Sequence, residues 1–388
     1  MEKNSALTDE LLQRCHERAP GYDRENKFFL EDFEELKEAG YLLGPVPTEF
    51  GGGGLNLAQS CLEQERLAYH APATALAVNM HLYWVGIAAD LYRWGDKSLQ
   101  WMLEEAAAGE VFAAGHAERG NDLPIFLSTA KATKVDGGYR FNGHKMFGSL
   151  APVWTRYGLH AMDSEADGGP QIIHAFMPRD TEGYSIKETW DTLGMRATRS
   201  DDVILEDVFV EDKYIGHIVP AGQGDPFILA LFAWALLGFG SIYYGLAKRV
   251  MDITLPTLKS KTSLAVTRSM AYHPEVQHSV AQMVLAYETI GPVLHKTCDD
   301  WANGVDYGHD WPAKIVATKH HCVETCWKVV DTAMDVSGGT GMFKAFELER
   351  LFRDARCGRF HPANANLVHE IVAKTALGID LGEQPRWG

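Results

Sequence analysis

The stretch that most constrains this chain is DVSGGTGMFKAFELERLFRDARCGRFHPANANLVHEIVAKTALG, Asp335 to Gly378. Gly338, Gly339, Thr340 and Gly341 stand between two segments of helical periodicity, where a tight reversal needs residues tolerant of φ > 0. Backbone N–H groups in such a turn can face a phosphate, although the same turn is an ordinary helix terminator. Leu348, Leu351 and Phe352 then make an apolar stripe at helical spacing, with Arg350, Arg353, Asp354 and Arg356 interleaved. That helix is expected to end near Gly358.

Upstream, Leu11, Leu12, Phe28, Phe29, Phe33, Leu36 and Ala39 recur at helical intervals, and Gly40 closes the second of two helices. A loop rich in glycine and proline follows, then an amphipathic helix over Leu57 to Tyr69 and a nearly unbroken apolar helix over Ala71 to Trp94 that carries His81. From about Gly109 the pattern becomes short alternating runs. Lys131 to Val135, the Asp136-Gly137-Gly138 turn and Tyr139 to Lys145 read as a hairpin, and Val203 to Val210 as another strand. Helices return after Phe227. The expected class is α+β multidomain, with a helical domain over 1–110, a β domain over 111–222 and a helical domain over 223–388.

A chain of 388 residues with 46% hydrophobic content buries a large core. No apolar run predicts a membrane span and MEKNSALTDELLQR lacks a signal pattern, so a cytoplasmic location is expected. A net charge of −16 argues against nucleic acid or an anionic membrane as partner. The six scattered cysteines predict packed thiols rather than disulfides. His320-His321-Cys322 and Cys326 invite a metal, but they share one helical pattern, Ala313 to Met334, and no metal site is expected.

The order GGxG, then ER-LxRDAR, then a polar loop and a long helix resembles the C-terminal signature of the acyl-CoA dehydrogenase superfamily. So do Ala39-Gly40-Tyr41 with Glu49-Phe50-Gly51-Gly52, Asn142-Gly143-x-Lys145-x-Phe147-x-Ser149, Leu193-Gly194-Met195-Arg196-Ala197-Thr198-x-Ser200, Glu206-Asp207-Val208-x-Val210, Tyr244-Gly245-Leu246-Ala247, and His273 to Met283. The resemblance implies an N-terminal all-α domain, a central β-barrel domain, a C-terminal four-helix bundle, and bound FAD, with FMN as the alternative. It places Phe147 beside the flavin ring, Ser149 as its hydroxyl neighbour and Thr198 in the cofactor site. Gly338, Gly339 and Thr340 would reach a neighbour's flavin in a homotetramer or homodimer. Asn364 and Asn366 would replace contacts at the adenosine end.

The chain also departs from that family. Pro362 occupies the position of the catalytic Glu, and Leu236 the alternative position, so neither offers a base. Gly115 stands where relatives carry a flavin-binding threonine, and Asn121 where a serine contacts substrate. The pyrophosphate-binding Arg-x-x-Phe-Gly is not visible, leaving Lys259, Lys261 or Arg268 to supply the charge. His361, one residue before Pro362, resembles a histidine of flavin monooxygenases on this fold and is the first catalytic candidate, with Ser149 assisting and His81 third. The competing role for His361 is capping the next helix, with Pro362 at its first position. Three readings follow: an oxygen-using flavin enzyme served by a flavin reductase and acting on an acyl thioester (CoA or carrier protein) or a small organic substrate; a dehydrogenase with Glu370 or Glu118 as base, passing electrons to an electron-transfer flavoprotein; and a non-catalytic partner subunit.

Overall fold

The computed structural model describes residues 5–123 and 125–383. Helix α1 (Asp9–Glu25) starts where Thr8 accepts the Leu11 N–H and stops at Asn26 in a left-handed conformation. After α2 (Leu30–Glu38) and the glycine loop, an Asn56/Gln59 capping box opens α3 (Leu57–His70). Helices α4 (Pro72–Arg93) and α5 (Gln100–Ala107) complete the first layer. Nearly every residue of α4 is buried, which explains its unbroken apolar sequence.

The β strands are β1 (Phe112–Gly115), β2 (Lys131–Val135), β3 (Gly138–Gly148), β4 (Arg156–Asp163), β5 (Gln171–Pro178), β6 (Tyr184–Lys187), β7 (Asp201–Glu211) and β8 (Ile215–Pro220). They form one mixed sheet in the order β6-β7-β3-β2-β4-β5-β8, with β1 parallel to β4. Its hydrogen-bonded ladder ends at β6 and β8, so this central domain is open at that seam among the described residues.

The C-terminal layer contains α6 (Pro226–Ser260), α7 (Pro274–Tyr287), α8 (Ile290–Ala302), α9 (Trp311–Ser337), α10 (Glu347–Cys357) and α11 (Ala365–Leu377). Helix α6 is long and apolar enough to cross a membrane, yet 89% of its apolar window is buried inside the protein. It forms the bundle's core, packed on α3, α4 and α9. Asp90 of α4 ties this core together by accepting from Trp234 Nε1 of α6 at 2.7 Å and Trp301 Nε1 of α8 at 2.8 Å.

Two of the motifs singled out above meet in a joint between the layers. Asp354 of α10, buried, accepts the Met195 N–H at 2.6 Å, and Arg353 donates to Leu193 O at 3.0 Å and to both carboxylate oxygens of Asp23 in α1 at 2.9 and 2.6 Å. Gly194 must be glycine here, because a Cβ would fall 2.4 Å from the Arg353 carbonyl. The RDAR and LGMRAT segments therefore clamp three layers together.

A second buried polar group lies in the sheet. His160 of β4, His174 of β5 and His217 of β8 are direct cross-strand neighbours, and His116 follows β1 beside them, 5.2 Å from His160 and 6.1 Å from His174 between ring centres. Among the described residues neither nitrogen of His174 has a hydrogen-bond partner. Burial, and then the charge of Lys145, push His116 down to about 3; burial likewise holds His160 and His174 well below the ordinary imidazole value. The unfolded chain takes up these protons below about pH 6.5 whereas the folded one does not, so stability is whole above that pH and is lost as pH falls. The expected loss is about 1.4 kcal/mol per group per pH unit. His174→Phe should raise the Tm at pH 7.5 by removing two unpaired buried nitrogens, and should lessen the fall in Tm between pH 7.5 and 5.5. An equal fall in both proteins would show that these imidazoles are not its source.

Candidate active site

On α6, Leu236, Phe239 and Tyr243 recur at three- and four-residue spacing and so share one face. The loop after α10 lies against Phe239 and Tyr243. The His361 ring stacks on Phe239 with centroids 4.9 Å apart and planes 19° apart, and Tyr243 Oη lies 2.8 Å from His361 Nε2. From α9, Lys319 Nζ donates to the carbonyls of His361 (2.9 Å) and Ala363 (3.0 Å). Burial, and after it the Lys319 charge, hold the half-buried imidazole well below its ordinary value, so it is neutral at physiological pH. Pro362, between those two carbonyls, has no group that can take a proton.

His361 does not cap the next helix. Asn364 does, accepting the Leu367 N–H at 3.1 Å, and α11 begins at Ala365, which leaves Pro362 ahead of its first turn. The Asn364 oxygen is thereby committed, while Asn366 is exposed on the first turn of α11.

A second group of site residues comes from the sheet. Ser149 Oγ and Ser200 Oγ lie 2.7 Å apart, Ser200 Oγ and Thr198 Oγ1 2.7 Å apart, and Thr198 donates to Met195 O at 2.9 Å. This hydroxyl chain is buried. Phe147, two residues before Ser149, is 53% exposed at a left-handed φ of 58°, held edge-on to Trp190 at 5.7 Å. An aromatic held in that uncommon conformation and facing outward beside a hydroxyl is suited to a planar ligand. Among the described residues no hydrogen bond or ring contact joins this group to His361.

The hydroxyl missing at Gly115 has a structural counterpart. A Cβ there would fall 2.0 Å from Tyr157 Oη, so the phenol of β4 fills the space that a threonine would need. Tyr157 is fully buried and its Oη has no partner among the described residues.

Several residues proposed from sequence are occupied elsewhere. His81 bridges α4 to its neighbours: Nδ1 accepts the Phe112 N–H at 3.1 Å, and Nε2 lies 3.1 Å from Leu42 O. With both nitrogens committed to backbone it is a structural joint, which corrects its proposed catalytic role. Asn121 folds its own loop, donating to Glu118 and to Leu127 O and accepting the Leu123 N–H, so its amide has no atom left for substrate. Glu118 pairs with fully buried Lys145 and accepts from Ser128 Oγ and the Thr129 N–H. Burial would raise its carboxyl, but the ammonium and these donors prevail and hold it below the carboxylate range, so it is unsuited to act as a base. Glu370 pairs with Lys374 one turn along α11 at 2.9 Å.

Arg268 is exposed and stacks on Tyr272, whereas Lys261 Nζ reaches the glycine turn, donating to Ser337 O at 2.6 Å. Gly338, Gly339 and Thr340 lie at the C-terminal end of α9, where the helix dipole disfavours an anion and Lys261 opposes that disfavour. The sequence reading missed Tyr243, Lys319, Ser200 and Tyr157. Tyr243 could have been found from its seven-residue spacing to Leu236, and Ser200 from the RATxS motif. Nothing in the sequence brings Tyr157 to Gly115 or Lys319 to Pro362.

Comparison with known proteins gives a consistent family. Residues 5–110 match the family model for the acyl-CoA dehydrogenase N-terminal domain and residues 237–366 that for the acyl-CoA dehydrogenase C-terminal domain. The chain is 27% identical over 378 residues to the acyl-CoA dehydrogenase-like protein YdbM of Bacillus subtilis (strain 168), covering 96% of each. It is 26% identical over 390 residues to the amino sugar nitrososynthase DnmZ of Streptomyces peucetius, covering 96% of this chain and 92% of that protein. Among solved structures, KijD3 in complex with FMN and a dTDP-amino-keto sugar superposes with a TM-score of 0.83 at 22% identity, over 96% of this chain and 92% of that one.

The Gly115 and Tyr157 pairing is testable apart from activity. Gly115→Thr is expected to lower stability by about 2 kcal/mol or more through overpacking, read as a fall in Tm, and Tyr157→Val in the same chain should recover most of it. A Gly115→Thr protein as stable as the parent would show that the phenol is not held there.

Proposed function

The chain belongs to the acyl-CoA dehydrogenase superfamily of flavin-dependent oxidoreductases, and from that premise we propose that it is an oxygen-using member, a flavin monooxygenase or oxidase acting on a small organic substrate. One observation carries the proposal: the loop that would present a carboxylate presents instead a neutral imidazole, His361, paired with Tyr243. A relative named as an amino sugar nitrososynthase supports it, since making a nitroso group from an amine adds oxygen to nitrogen. An amine is therefore the first substrate class to test, ahead of a CoA or carrier-protein thioester. Glu118, pinned by Lys145, speaks against a dehydrogenase with a relocated base.

Phe147, Ser149 and the hydroxyls behind Ser149 would hold the flavin, FMN or FAD, with the exposed aromatic face and the buried hydroxyl chain as the basis for that assignment. When bound and reduced, the flavin supplies electrons to oxygen. The protein's part is to present a neutral hydrogen-bonding group at His361. If Tyr243 donates to Nε2, then Nδ1 carries the ring proton; in the other tautomer Nε2–H donates to Tyr243 Oη and Nδ1 is free to accept. The two arrangements hold the same number of protons, so the pair offers a reacting group either a hydrogen-bond donor or an acceptor at Nδ1 while the ring stays neutral, an imidazolium being disfavoured by burial and Lys319. Apolar Phe239, stacked on the ring, covers one of its faces. A flavin reductase would supply the electrons, and a homotetramer or homodimer would bring the turn at Gly338 to a neighbour's flavin.

The test is titration with FMN and FAD followed by visible absorbance, then oxygen uptake with a flavin reductase and amine substrates. His361→Ala is expected to bind flavin within about threefold of the parent while losing about 10²-fold or more in substrate-dependent oxygen uptake. An unchanged rate would remove His361 from the mechanism. Anaerobic bleaching by an acyl-CoA would return the enzyme to dehydrogenation, and failure to bind either flavin would leave a non-catalytic subunit.

A further inference from the structure

Lys319 is only 2% exposed, and among the described residues its ammonium makes no ion pair. Taking an ammonium out of water costs several kcal/mol unless hydrogen bonds satisfy it, and an apolar side chain of similar length would fill the same space more cheaply. Its acceptors are the carbonyls of His361 and Ala363, on either side of Pro362. The chain has thus kept a costly buried charge at the loop that carries the candidate catalytic imidazole.

The surroundings leave that role to Lys319 alone. Glu324, the carboxylate whose field acts on it from its own helix, is engaged by Arg359 Nε at 2.7 Å. Cys322 and His320 are its other titratable neighbours on α9; the loop contributes His361, and Tyr243 faces that imidazole from α6. The loop backbone between Gly358 and the Asn364 cap also carries a long 3.3 Å contact from the His361 N–H to Gly358 O. Phe239 and Tyr243 hold the ring of His361; Lys319 holds its backbone.

Resting on the assignment of His361 to the active site, we propose that Lys319 is a positioning residue: by bridging the carbonyls on either side of Pro362 it sets the imidazole in register with Tyr243. Without the ammonium, two buried carbonyls lose their donor and the loop is free to re-aim the ring. The field that opposes a proton on His361 goes with it. The ammonium is itself unusual, since burial pushes it down to about 7, so its own charge fades across the neutral range.

The experiment is NMR of the full-length protein labelled at histidine Cε1, with the His361 resonance identified by its loss in His361→Ala, titrated from pH 5 to 8.5. In the parent the imidazole should stay neutral throughout, with a small inflection near neutrality as Lys319 loses its proton. In Lys319→Met, or in Lys319→Gln should the first variant fold poorly, that inflection should disappear and the His361 resonance should move at every pH, reporting a re-aimed ring. Flavin affinity should remain within about threefold and oxygen uptake should fall about tenfold. A parent His361 that protonates with an ordinary midpoint near 6.5, or a folded Lys319 variant whose His361 resonance is unmoved and keeps the inflection near neutrality, overturns the proposal. If His361→Ala leaves turnover unchanged while the Lys319 variants still move the His361 resonance, the catalytic assignment fails and the positioning role stands.

Discussion

The buried carboxylate of Asp354 is the point on which the arrangement of layers depends. It accepts the backbone N–H of Met195 from the sheet domain, while Arg353 beside it reaches Asp23 in the first helical layer. Three parts of the chain, separated by more than a hundred residues each, meet on one turn of α10. Because α10 runs directly into the loop of His361, the same joint that fixes the domains also fixes where the candidate catalytic residue begins. An ion pair at the surface contributes little to such a union, but a buried carboxylate with a backbone donor and flanking guanidinium groups is costly to disrupt.

What distinguishes structural from functional polar groups here is how completely each is satisfied. Glu118 with Lys145, Asp90 with two indoles, His81 with two backbone groups, and Asn121 with its own loop are all saturated by the protein. A saturated buried group stabilises one conformation and has no capacity left for a ligand. Among the described residues, apart from the unpartnered His174 ring and Tyr157 phenol, few groups are left with capacity. Phe147 shows its face, Ser149 heads a hydroxyl chain, and His361 has one nitrogen beyond its tyrosine partner.

The substitution of a proline for a carboxylate changes the chemistry the loop can perform. A carboxylate abstracts a proton and becomes neutral, whereas a neutral imidazole that takes one becomes a cation beside the Lys319 ammonium. That arrangement is unfavourable, so the ring paired with Tyr243 is held neutral. A neutral pair of this kind suits chemistry in which the ring donates or accepts a hydrogen bond at Nδ1 rather than acting as a lasting base.

Much of this was legible in the sequence, because periodicity and turn chemistry are local. The helices over Leu57 to His70, Pro72 to Arg93 and Trp311 to Ser337 and the hairpin of β2 and β3 follow from apolar spacing and from Asp136-Gly137-Gly138. The loss of a base at Pro362 and the presence of His361 beside it are also matters of sequence alone. Only tertiary structure showed that the RDAR segment is a clamp, that Tyr157 fills the space over Gly115, and that Lys319 and Tyr243 converge on one loop from two helices. Those relations join residues tens to hundreds of positions apart, and spacing along a chain carries no information about which distant side chains packing will bring within 3 Å. Saturation of His81 followed the same rule: it had the right residue type, but the backbone atoms that occupy it belong to other elements, and only the folded chain puts those atoms within reach.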